Sequence, residues 1–560
     1  MESVIVRYEG DLRGAVNREI PQGQVVELFH QYAIVTIPVE DLPVLRELEE
    51  VEYVELPKRL YFSDRQANGA SCITSVQQTT LGREMRSGLT GNGVLIGIID
   101  SGIDYTHPDF ITEEGESRIA YLWDQSVDRD SGVGTVPEGF VQGAEYTGEQ
   151  ITDALRLPIE QRQQQIPETD RGSGHGTAVA GVAAGNGRGA VAEEYTGVAT
   201  ESSLIVVKLA QRDDGFPRTT EVMEGLDYVL RKAIQLQRPV AVNLSFGNNY
   251  GPHDGQSLFE NYITELNGVW KNVVVVASGN EGDARHHTER SLPKGEFSGR
   301  DASEEQRISF AVGAAESRLV IQLWKNYVDQ MQLWVESPSG ESYLVPTEGR
   351  AVEYDLSGAV LRIVHGSPTP YTITQEVYFE WIGNRQVIPG GVWNIRIRPE
   401  RIRDGILQLW MTGVEGSGSQ TGFLDPVTNT TLTIPATAAR IISVGAYNSN
   451  TEVVASFSGR GFTADRRIAP TLVAPGIEIM TARPGGGYQR VSGTSIAAPF
   501  VTGSAALLME WGLIRGNDPE LYGEKVKAYL SRGARPLLGI REYPDRAAGW
   551  GALCLERSIP

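Results

Sequence analysis

Continuous apolar segments that end near polar residues dominate the chain between residues 91 and 280. The segments are G-V-L-I-G-I-I-D, which ends at Asp100, S-L-I-V-V-K-L (203–209), P-V-A-V-N-L-S-F-G (239–247) and N-V-V-V-V-A-S-G-N (272–280). Unbroken runs of this kind are typical of strands buried on both faces of a parallel sheet. Helical patterns, such as the one that starts at Thr220, lie between them. The alternation predicts an α/β domain with a doubly wound, mostly parallel sheet, whose chemistry gathers at the carboxyl ends of the strands.

The pattern is different before this region. In residues 1–66, V-I-V-R-Y and Y-A-I-V-T-I-P predict strands, and the apolar spacing between Val39 and Glu50 predicts a helix. These elements indicate a small α+β domain. The polar, glycine-containing stretch F-S-D-R-Q-A-N-G-A-S that follows indicates a linker.

A third pattern interrupts the α/β region. Short alternating segments separated by Gly, Pro and Ser, such as M-Q-L-W-V-E-S-P and W-N-I-R-I-R-P, fill residues 297–430. They predict an all-β domain of the sandwich or jelly-roll type. The α/β pattern resumes with R-I-I-S-V-G-A-Y. We therefore expect an α/β domain in two parts, 67–296 and 431–560, with the β domain inserted between them.

Composition narrows the partners and the compartment. The 560-residue chain has a formal net charge of −21, which disfavours nucleic acid and anionic membranes as partners. We expect no segment long and apolar enough to span a bilayer, and the N-terminus lacks a signal-peptide pattern, so the expectation is cytoplasmic synthesis without standard export. A bridge between the two cysteines, Cys72 and Cys554, is compatible with the sequence but does not follow from it, and we expect no disulfide framework.

Three short motifs carry the candidate chemistry. I-I-D-S-G-I-D-Y-T-H-P-D-F places Asp100 at a strand end, whereas G-S-G-H-G-T-A-V-A-G and S-G-T-S-I-A-A-P place His175 and Ser495 at helix starts. A serine hydroxyl needs a base such as histidine, and a buried carboxylate fixes the tautomer of that base. The amide of Asn280, in S-G-N-E-G, and the backbone N–H of Ser495 are candidate oxyanion donors. Each residue alone is better explained as a cap or turn residue, but their joint occurrence in this order favours catalysis.

These motifs closely resemble those of the subtilisin-like serine proteases, the subtilases of peptidase family S8. The matching stretches are Asp100–Gly102, His175–Gly181 and Gly493–Pro499. The resemblance implies a serine endopeptidase with Asp100, His175 and Ser495 as the catalytic triad, and with Asn280 and Ser495 forming the oxyanion hole. It also implies a strand that pairs with substrate and two walls of the first specificity pocket. Those residues are Leu244, Ser245, Phe246, Gly247, Ala277, Ser278 and Gly279.

Two departures from the family affect ligands and specificity. The calcium-loop residues of secreted subtilisins are not recognisable in A-A-G-N-G-R-G-A-V-A-E-E-Y-T-G, so we expect no metal and no cofactor. The pocket floor of the family comes from just after the Asn280 turn, where the insertion begins, which leaves the preference for the residue before the scissile bond (P1) open. Glu281, at the pocket rim, is expected to be solvated rather than to select basic residues.

Within the subtilases, the chain most resembles the Csp-type germination proteases of spore-forming clostridia. The shared features are an N-terminal prodomain without a signal peptide, I-D-Y-T-H-P-D-F after Asp100, and a jelly-roll insertion. The resemblance implies that the prodomain is an intramolecular chaperone, is cut by the enzyme itself near Gln66-Ala67, and stays bound in the active-site cleft. Protein or peptide substrates are implied, including a spore cortex-lytic pro-enzyme, together with packaging in the spore.

Four other functions are compatible with parts of the sequence. A regulatory, germinant-sensing subtilase-like protein with little turnover is disfavoured because the three triad positions are filled, and a general peptidase of a gut anaerobe stays open. A lipase or esterase would need a G-x-S-x-G elbow and the order Ser, Asp, His. A carbohydrate-binding role for the insertion would need exposed tryptophans, whereas Trp324, Trp334 and Trp393 lie in alternating strands that favour the core.

Overall fold

The computed structural model describes most of the chain. The described residues are 1–57, 61–62, 71–77, 88–128, 132–167, 169–170, 172–190, 195–211, 216–297, 305–356, 358–383, 387–412 and 420–560.

The N-terminal domain is a four-stranded antiparallel sheet with two helices. Its elements are β1 (Glu2–Tyr8), α1 (Leu12–Glu19), β2 (Gln24–Glu27), β3 (Tyr32–Ile37), α2 (Leu42–Glu47) and β4 (Val51–Glu55). The strand order is β2-β3-β1-β4, and both helices contribute to one apolar core under the sheet. Two short elements follow, β5 (Tyr61–Phe62) and α3 (Thr74–Gln77). The expected α+β domain at the N-terminus is therefore present.

The first part of the α/β domain contains strands and helices in alternation. They are β6 (Leu95–Asp100), β7 (Ile119–Asp124), β8 (Ala144–Thr147), α4 (Gly148–Leu155), α5 (Ile159–Gln165), α6 (His175–Ala184), β9 (Ser203–Lys208), α7 (Thr219–Gln235), β10 (Val240–Leu244), β11 (Phe246–Gly247), α8 (Leu258–Leu266) and β12 (Asn272–Ala277). The strands β6, β10 and β12 are buried along their whole length, as their unbroken apolar sequence requires.

The insertion consists of two antiparallel sheets around one core. Its strands are β13 (His287–Ser291), β14 (Gly295–Glu296), β15 (Gln306–Val312), β16 (Arg318–Asn326), β17 (Gln330–Glu336), β18 (Ser342–Leu344), β19 (Arg350–Leu356), β20 (Ala359–His365), β21 (Thr374–Gly383), β22 (Gly391–Ile402), β23 (Ile406–Thr412) and β24 (Gly422–Phe423). One sheet has the order β13-β23-β16-β21-β20-β19, and the other β18-β17-β22-β15-β24 with β14 on β22. The boundary expected at 297 thus falls inside these sheets, because β13 already pairs with β23. Trp393 is buried in the core between them.

The last part of the chain completes the α/β domain. It contains β25 (Ile442–Asn448), β26 (Val453–Val454), β27 (Leu472–Pro475), β28 (Ile479–Ala482), β29 (Tyr488–Val491), α9 (Thr494–Met509), α10 (Gly523–Gly533) and α11 (Leu555–Ser558). The central sheet runs β26-β25-β12-β10-β6-β9-β7-β8, with β27 on β25. The pairs β7-β9-β6-β10-β12-β25-β27 are parallel, and an apolar core covers each face of this sheet. The predicted fold class is confirmed.

The helix that carries Ser495 corrects one expectation from the sequence. Together with the π-helical turn that follows α9, it forms the segment Thr494–Ile514, which is long and apolar enough to cross a bilayer by length and composition. The expectation that no such segment exists was wrong. In the fold, 83% of its apolar window is buried inside the protein, where α9 packs beneath the sheet, as is usual for a core helix.

A disulfide joins two distant parts of the chain. Cys72 and Cys554 are bonded across a sequence separation of 482 residues. The bond connects the segment that precedes α3 to the start of α11. It settles the pairing that the sequence left open.

Candidate active site

A buried carboxylate and an imidazole meet at the carboxyl end of β6. Asp100 is the last residue of β6, and His175 is the first residue of α6. The Nδ1 atom of His175 donates to Oδ1 of Asp100 over 2.7 Å, and the backbone N–H of Ser101 donates to the same oxygen over 2.7 Å. Gly174 precedes the helix with a φ of 70°, a left-handed conformation that glycine adopts without strain. The arrangement fixes the imidazole tautomer and orientation.

A second carboxylate, Asp170, supports this pair and was missed by the sequence reasoning. It accepts hydrogen bonds from the Ser101 hydroxyl (2.7 Å), the Gly174 N–H (3.2 Å) and the Thr177 N–H (2.8 Å). Burial raises the pKa of Asp170, and the bonds from Thr177 and Ser101 oppose that rise. Asp170 therefore ties the turn after β6 to the first turn of α6. Its sequence signal was an acid just before a predicted helix start.

Ser495 lies beside Asn280 at the start of α9. Both the backbone N–H and the hydroxyl of Thr494 donate to Oδ1 of Asn280, over 3.1 and 3.0 Å, which turns the amide nitrogen Nδ2 the other way. A methyl group placed on Gly493 would lie 3.0 Å from the Ser495 hydroxyl and 3.2 Å from Nδ2 of Asn280. The hydroxyl and the amide thus face one point, and only a residue without Cβ leaves that point open.

The two helices that carry His175 and Ser495 are in direct contact. A methyl group placed on Gly503 of α9 would come within 2.8 Å of the Ala183 carbonyl of α6. Small residues at this crossing let the two backbones approach closely. Asp100, Asn280, His175 and Ser495 are consequently all positioned by elements that surround the carboxyl ends of β6, β10 and β12.

The strand expected to bind substrate already has a backbone partner. β11 pairs antiparallel with β5 of the N-terminal region, Phe246 with Phe62 and Gly247 with Tyr61. Ser245, the residue before β11, donates its hydroxyl to the Ser495 carbonyl over 2.8 Å. β5 thus lies along the edge of β11, next to the residue that bonds to the Ser495 carbonyl. The predicted cleavage point, Gln66-Ala67, lies outside the described residues.

The expected pocket walls enclose a threonine that the sequence did not indicate. A methyl group placed on Gly247 would meet the Thr433 hydroxyl at 2.3 Å, and one placed on Gly279 would meet it at 2.4 Å. The backbone N–H of Thr433 donates to the Ser278 carbonyl over 3.0 Å. Thr433 thus lies between the two expected walls. It follows the insertion by only a few residues, so a linear reading of the sequence does not place it beside them.

Two other expected wall residues belong to the strands rather than to an open pocket. Leu244 ends β10 and is fully buried in the core on one side of the sheet, whereas Ala277 ends β12 and packs into the core on the other side. Ser278 continues the parallel pairing through a hydrogen bond from its N–H to the Val444 carbonyl. Leu244, Ala277 and Ser278 therefore fix the strand ends from which the expected pocket walls extend.

Glu281 is bonded within the protein, which makes the expectation of a solvated side chain wrong. Its Oε2 atom accepts from Nδ1 of His286 over 2.6 Å and from Nδ2 of Asn249 over 3.1 Å. Burial alone would raise the pKa of Glu281, but the charge and hydrogen bond of His286 outweigh it and hold this pKa below its ordinary value.

Metal-ligating clusters are absent from the part of the chain that the structure describes. Within those ranges, no group of three or more His, Cys, Asp or Glu side chains is arranged to hold an ion.

Comparisons with known proteins give consistent matches over most of the chain. The model of the subtilase family matches residues 91–359 and 398–551, and the model of the Csp protease B prodomain matches residues 2–58. The structure of the Clostridium perfringens CspB protease is 34% identical, with a TM-score of 0.75, over 87% of this chain and 95% of that one.

Curated relatives are more distant in sequence. The minor extracellular protease Vpr of Bacillus subtilis is 24% identical over 98% of this chain and 61% of its own length. The PIII-type proteinase of Lactococcus lactis subsp. cremoris is 23% identical over 86% of this chain. The chain spans only 25% of the length of that proteinase.

Proposed function

We propose that Asp100, His175 and Ser495 form the catalytic triad of this chain. The chain belongs to the subtilases and, within them, to the Csp-type proteases. The chain is a subtilisin-like serine endopeptidase with an N-terminal prodomain. Asn280 and the backbone N–H of Ser495 are the proposed oxyanion donors.

The proposed reaction proceeds through an acyl-enzyme. The Ser495 hydroxyl attacks the scissile carbonyl while Nε2 of His175 takes its proton, and Asp100 stabilises the imidazolium through the Nδ1–H bond. The carbonyl oxygen becomes an oxyanion that accepts from Nδ2 of Asn280 and the Ser495 N–H. Collapse breaks the C–N bond as His175 returns its proton to the leaving amine. Water then repeats the sequence on the ester and restores the Ser495 hydroxyl.

One observation supports this assignment most strongly. The Asn280 carbonyl oxygen is held by Thr494, so that the amide nitrogen and the Ser495 hydroxyl face the same point next to Gly493. A carbonyl group at that point would meet a nucleophile and an oxyanion donor together. A mere helix cap at Ser495 would need neither the amide nor the open space.

The prodomain is the proposed first substrate and the retained partner. The pairing of β5 with β11 is the β-addition expected of a substrate backbone, which supports self-cleavage a few residues further on, near Gln66-Ala67. Several bonds anchor the prodomain outside the cleft as well. Glu2 accepts from Arg218 (2.6 Å), and Glu55 accepts from the N–H of Leu258 at the start of α8 (3.1 Å). These contacts would keep the cleaved prodomain bound.

Intact-mass measurement and N-terminal sequencing of the wild type beside Ser495→Ala test this proposal. We expect two fragments from the wild type, with a new N-terminus close to residue 67, and one full-length chain from the variant. Equal cutting of both proteins would show that another protease acts on the linker, and it would contradict self-cleavage. If both stay intact, labelling by a fluorophosphonate in the wild type but not in Ser495→Ala would still report a nucleophilic Ser495.

A role in spore germination, through activation of a cortex-lytic pro-enzyme, is the finer proposal. It is supported by the prodomain match and by the likeness to the CspB protease over 87% of this chain. Cleavage of the purified pro-enzyme at one bond, absent in Ser495→Ala, would support it. Broad cleavage of casein without that specific cut would instead favour a general peptidase, and a processed protein without further turnover would favour a regulatory subtilase-like role.

The proposed location follows from this role. We place the protein in the cytoplasm at synthesis and in the spore afterwards. Immunoblots of mother-cell, spore and medium fractions would test it, and recovery in the medium alone would contradict it.

A further inference from the structure

The oxyanion turn and the substrate strand are both bonded to the inserted domain, at one cluster. Glu281 follows Asn280 directly, and its carboxylate accepts from the His286 ring at 2.6 Å. His286 immediately precedes β13, and its backbone carbonyl accepts from the N–H of Met411 in β23 (2.8 Å). The side chain next to the proposed oxyanion donor is therefore held by a residue anchored in the insertion.

Asn249 joins the substrate strand to the same cluster. It lies shortly after β11, and its Nδ2 donates both to Glu281 (3.1 Å) and to the Met411 carbonyl (3.0 Å). Two residues further along, the N–H of Gly251 donates to the buried Gln322 side chain in β16 of the insertion (2.7 Å). One cluster thus connects both walls of the candidate pocket to the insertion.

The charges around the cluster favour a protonated His286. Burial would lower the pKa of His286, but the adjacent Glu281 outweighs it and raises this pKa above its ordinary value. Glu316 also faces His286 and favours its charge, whereas Arg285 opposes it. The side chains of His286 and Glu281 are only 14% and 24% exposed, so their hydrogen bond is a charge-assisted one in a poorly solvated place.

The two other histidines at this junction do not share that charge. His253 and His287 both stack on Trp410, with ring centroids 4.0 and 4.9 Å away. Burial lowers the pKa of His253 to about 3 and that of His287 to about 4, so both rings are neutral at physiological pH. Among these three histidines, His286 is the one that bonds to Glu281 and the one whose protonated form its surroundings favour.

We propose that His286 is a positioning residue for the oxyanion hole, acting through its ion pair with Glu281. The inference rests on the proposed role of Asn280. Loss of the pair leaves Glu281 a partly buried, uncompensated carboxylate at the end of the turn that holds Asn280. The Glu281 side chain then binds water or rotates, and the amide of Asn280 shifts with it. Because the oxyanion forms only in the transition state, the effect falls on kcat rather than on KM.

The pair also predicts the sign of a pH effect. His286 has a raised pKa in the folded enzyme, so the pair is complete at low pH and is lost as the pH rises through that value. We therefore expect an alkaline decline in kcat that belongs to His286. A histidine that only fills space would give no such decline.

Steady-state kinetics of the self-processed enzyme against pH test the proposal, with the coumarin amide of Ser-Asp-Arg-Gln, taken from residues 63–66, as substrate. For His286→Gln we expect kcat to fall about 10- to 100-fold near neutral pH, less than or equal to the loss of a whole oxyanion donor. KM should stay within about twofold and the alkaline decline should disappear. His286→Lys, which keeps the charge, should recover much of the rate and move the decline to higher pH.

Controls separate positioning from folding. His365→Gln removes another histidine of the insertion, whose ring bonds to the Pro346 carbonyl rather than to Glu281. This variant should leave kcat unchanged. Glu281→Gln removes the carboxylate itself, so its kcat should fall less than that of His286→Gln, and its alkaline decline should also disappear. The double variant should be faster than His286→Gln, because the uncompensated charge is gone. If His286→Gln does not fold, the Glu281→Gln pH profile decides in its place.

The outcomes for this inference and for the proposed function are distinguishable. A wild type without turnover would overturn the proposed function and this inference with it. A wild type that turns over, while His286→Gln keeps its kcat and its alkaline decline, would overturn the inference alone. A rise in KM at constant kcat would also overturn it, because that pattern indicates a pocket contact rather than oxyanion positioning.

Discussion

Replacing Thr433 by valine should make the protein more stable and its pocket less tolerant of polar residues. The Thr433 side chain lies between Gly247 and Gly279, and it is 5% exposed. Among the residues that the structure describes, no hydrogen-bond partner serves its hydroxyl. Valine has nearly the same shape, so the substitution removes the hydroxyl and leaves the width of the pocket unchanged.

The two expected effects have opposite signs. A buried hydroxyl without a partner costs about 1–3 kcal/mol, so Thr433→Val should raise the free energy of unfolding by about 1–2 kcal/mol. We expect Thr433 to lie at the floor of the proposed P1 pocket, where its hydroxyl would bond to a polar P1 side chain such as the amide of Gln66. Without it, that amide would be buried unpaired, which costs about 1–3 kcal/mol, or roughly 10- to 100-fold in kcat/KM. An apolar P1 residue of similar length should lose nothing.

The assay compares two peptide substrates that differ only at P1. Coumarin amides of Ser-Asp-Arg-Gln and Ser-Asp-Arg-Met are hydrolysed by wild type, Thr433→Val and Thr437→Val. Thr437 is the matched control, because it lies in the same segment as Thr433 but its hydroxyl donates to the carboxylate of Glu260. Thr437→Val should lower stability and leave the Gln-to-Met ratio unchanged. A Gln-to-Met ratio within twofold of wild type in Thr433→Val, or a loss of stability equal to that of Thr437→Val, would refute the assignment of Thr433 to the pocket floor.

Two further predictions concern the prodomain and the disulfide. Burial raises the pKa of Asp227, which accepts from the prodomain N–H of Phe29 (3.2 Å), to about 6. Its ionisation therefore opposes folding, and the free energy of unfolding should fall by roughly 2 kcal/mol as the pH rises from 4 to 7. Asp227→Asn should flatten this slope in urea titrations, and parallel wild-type and variant curves would contradict the assignment. Cys72→Ser removes the bond to Cys554, which closes a loop long enough to stabilise by about 6 kcal/mol in the chain-entropy model. The apparent Tm of the variant should therefore fall and should no longer respond to dithiothreitol. Equal melting of the reduced and oxidised wild type would contradict this.

The placement of the proposed catalytic residues follows from patterns that are local in sequence. Asp100 ends a strand with an unbroken apolar run, and in a parallel sheet such ends meet at one edge. His175 and Ser495 both begin helices of small residues that have to cross closely. Each of these positions follows from the strand or helix pattern directly around it, so strand periodicity and helix starts suffice to place the three residues at element ends.

The supporting residues depend on contacts that the sequence does not encode locally. Asp170 acts through Ser101, which lies 69 positions earlier in the chain, and no periodicity links them. Glu281 resembles any exposed turn residue until His286 folds back upon it. The helix of Ser495 has the apolar length of a membrane span, and only the surrounding sheet distinguishes it from one. In each case the structural role of the residue depends on a tertiary contact that its local sequence does not predict.

The location of the insertion explains why specificity was harder to predict than catalysis. The insertion begins just after Asn280 and ends just before Thr433, so its two ends adjoin the proposed oxyanion turn and the proposed pocket floor. The two ends are paired with each other, since the Val427 N–H donates to the His287 carbonyl (2.9 Å), and Thr433 then bonds back to Ser278 (3.0 Å). We therefore expect a change at either end of the insertion to act on Thr433 and Glu281 before it acts on Asp100 and His175. Substitutions at either end of the insertion should consequently change P1 selection and kcat without disturbing the Asp100–His175 pair. The Thr433 variants test the effect on P1 selection, and the His286 variants test the effect on kcat.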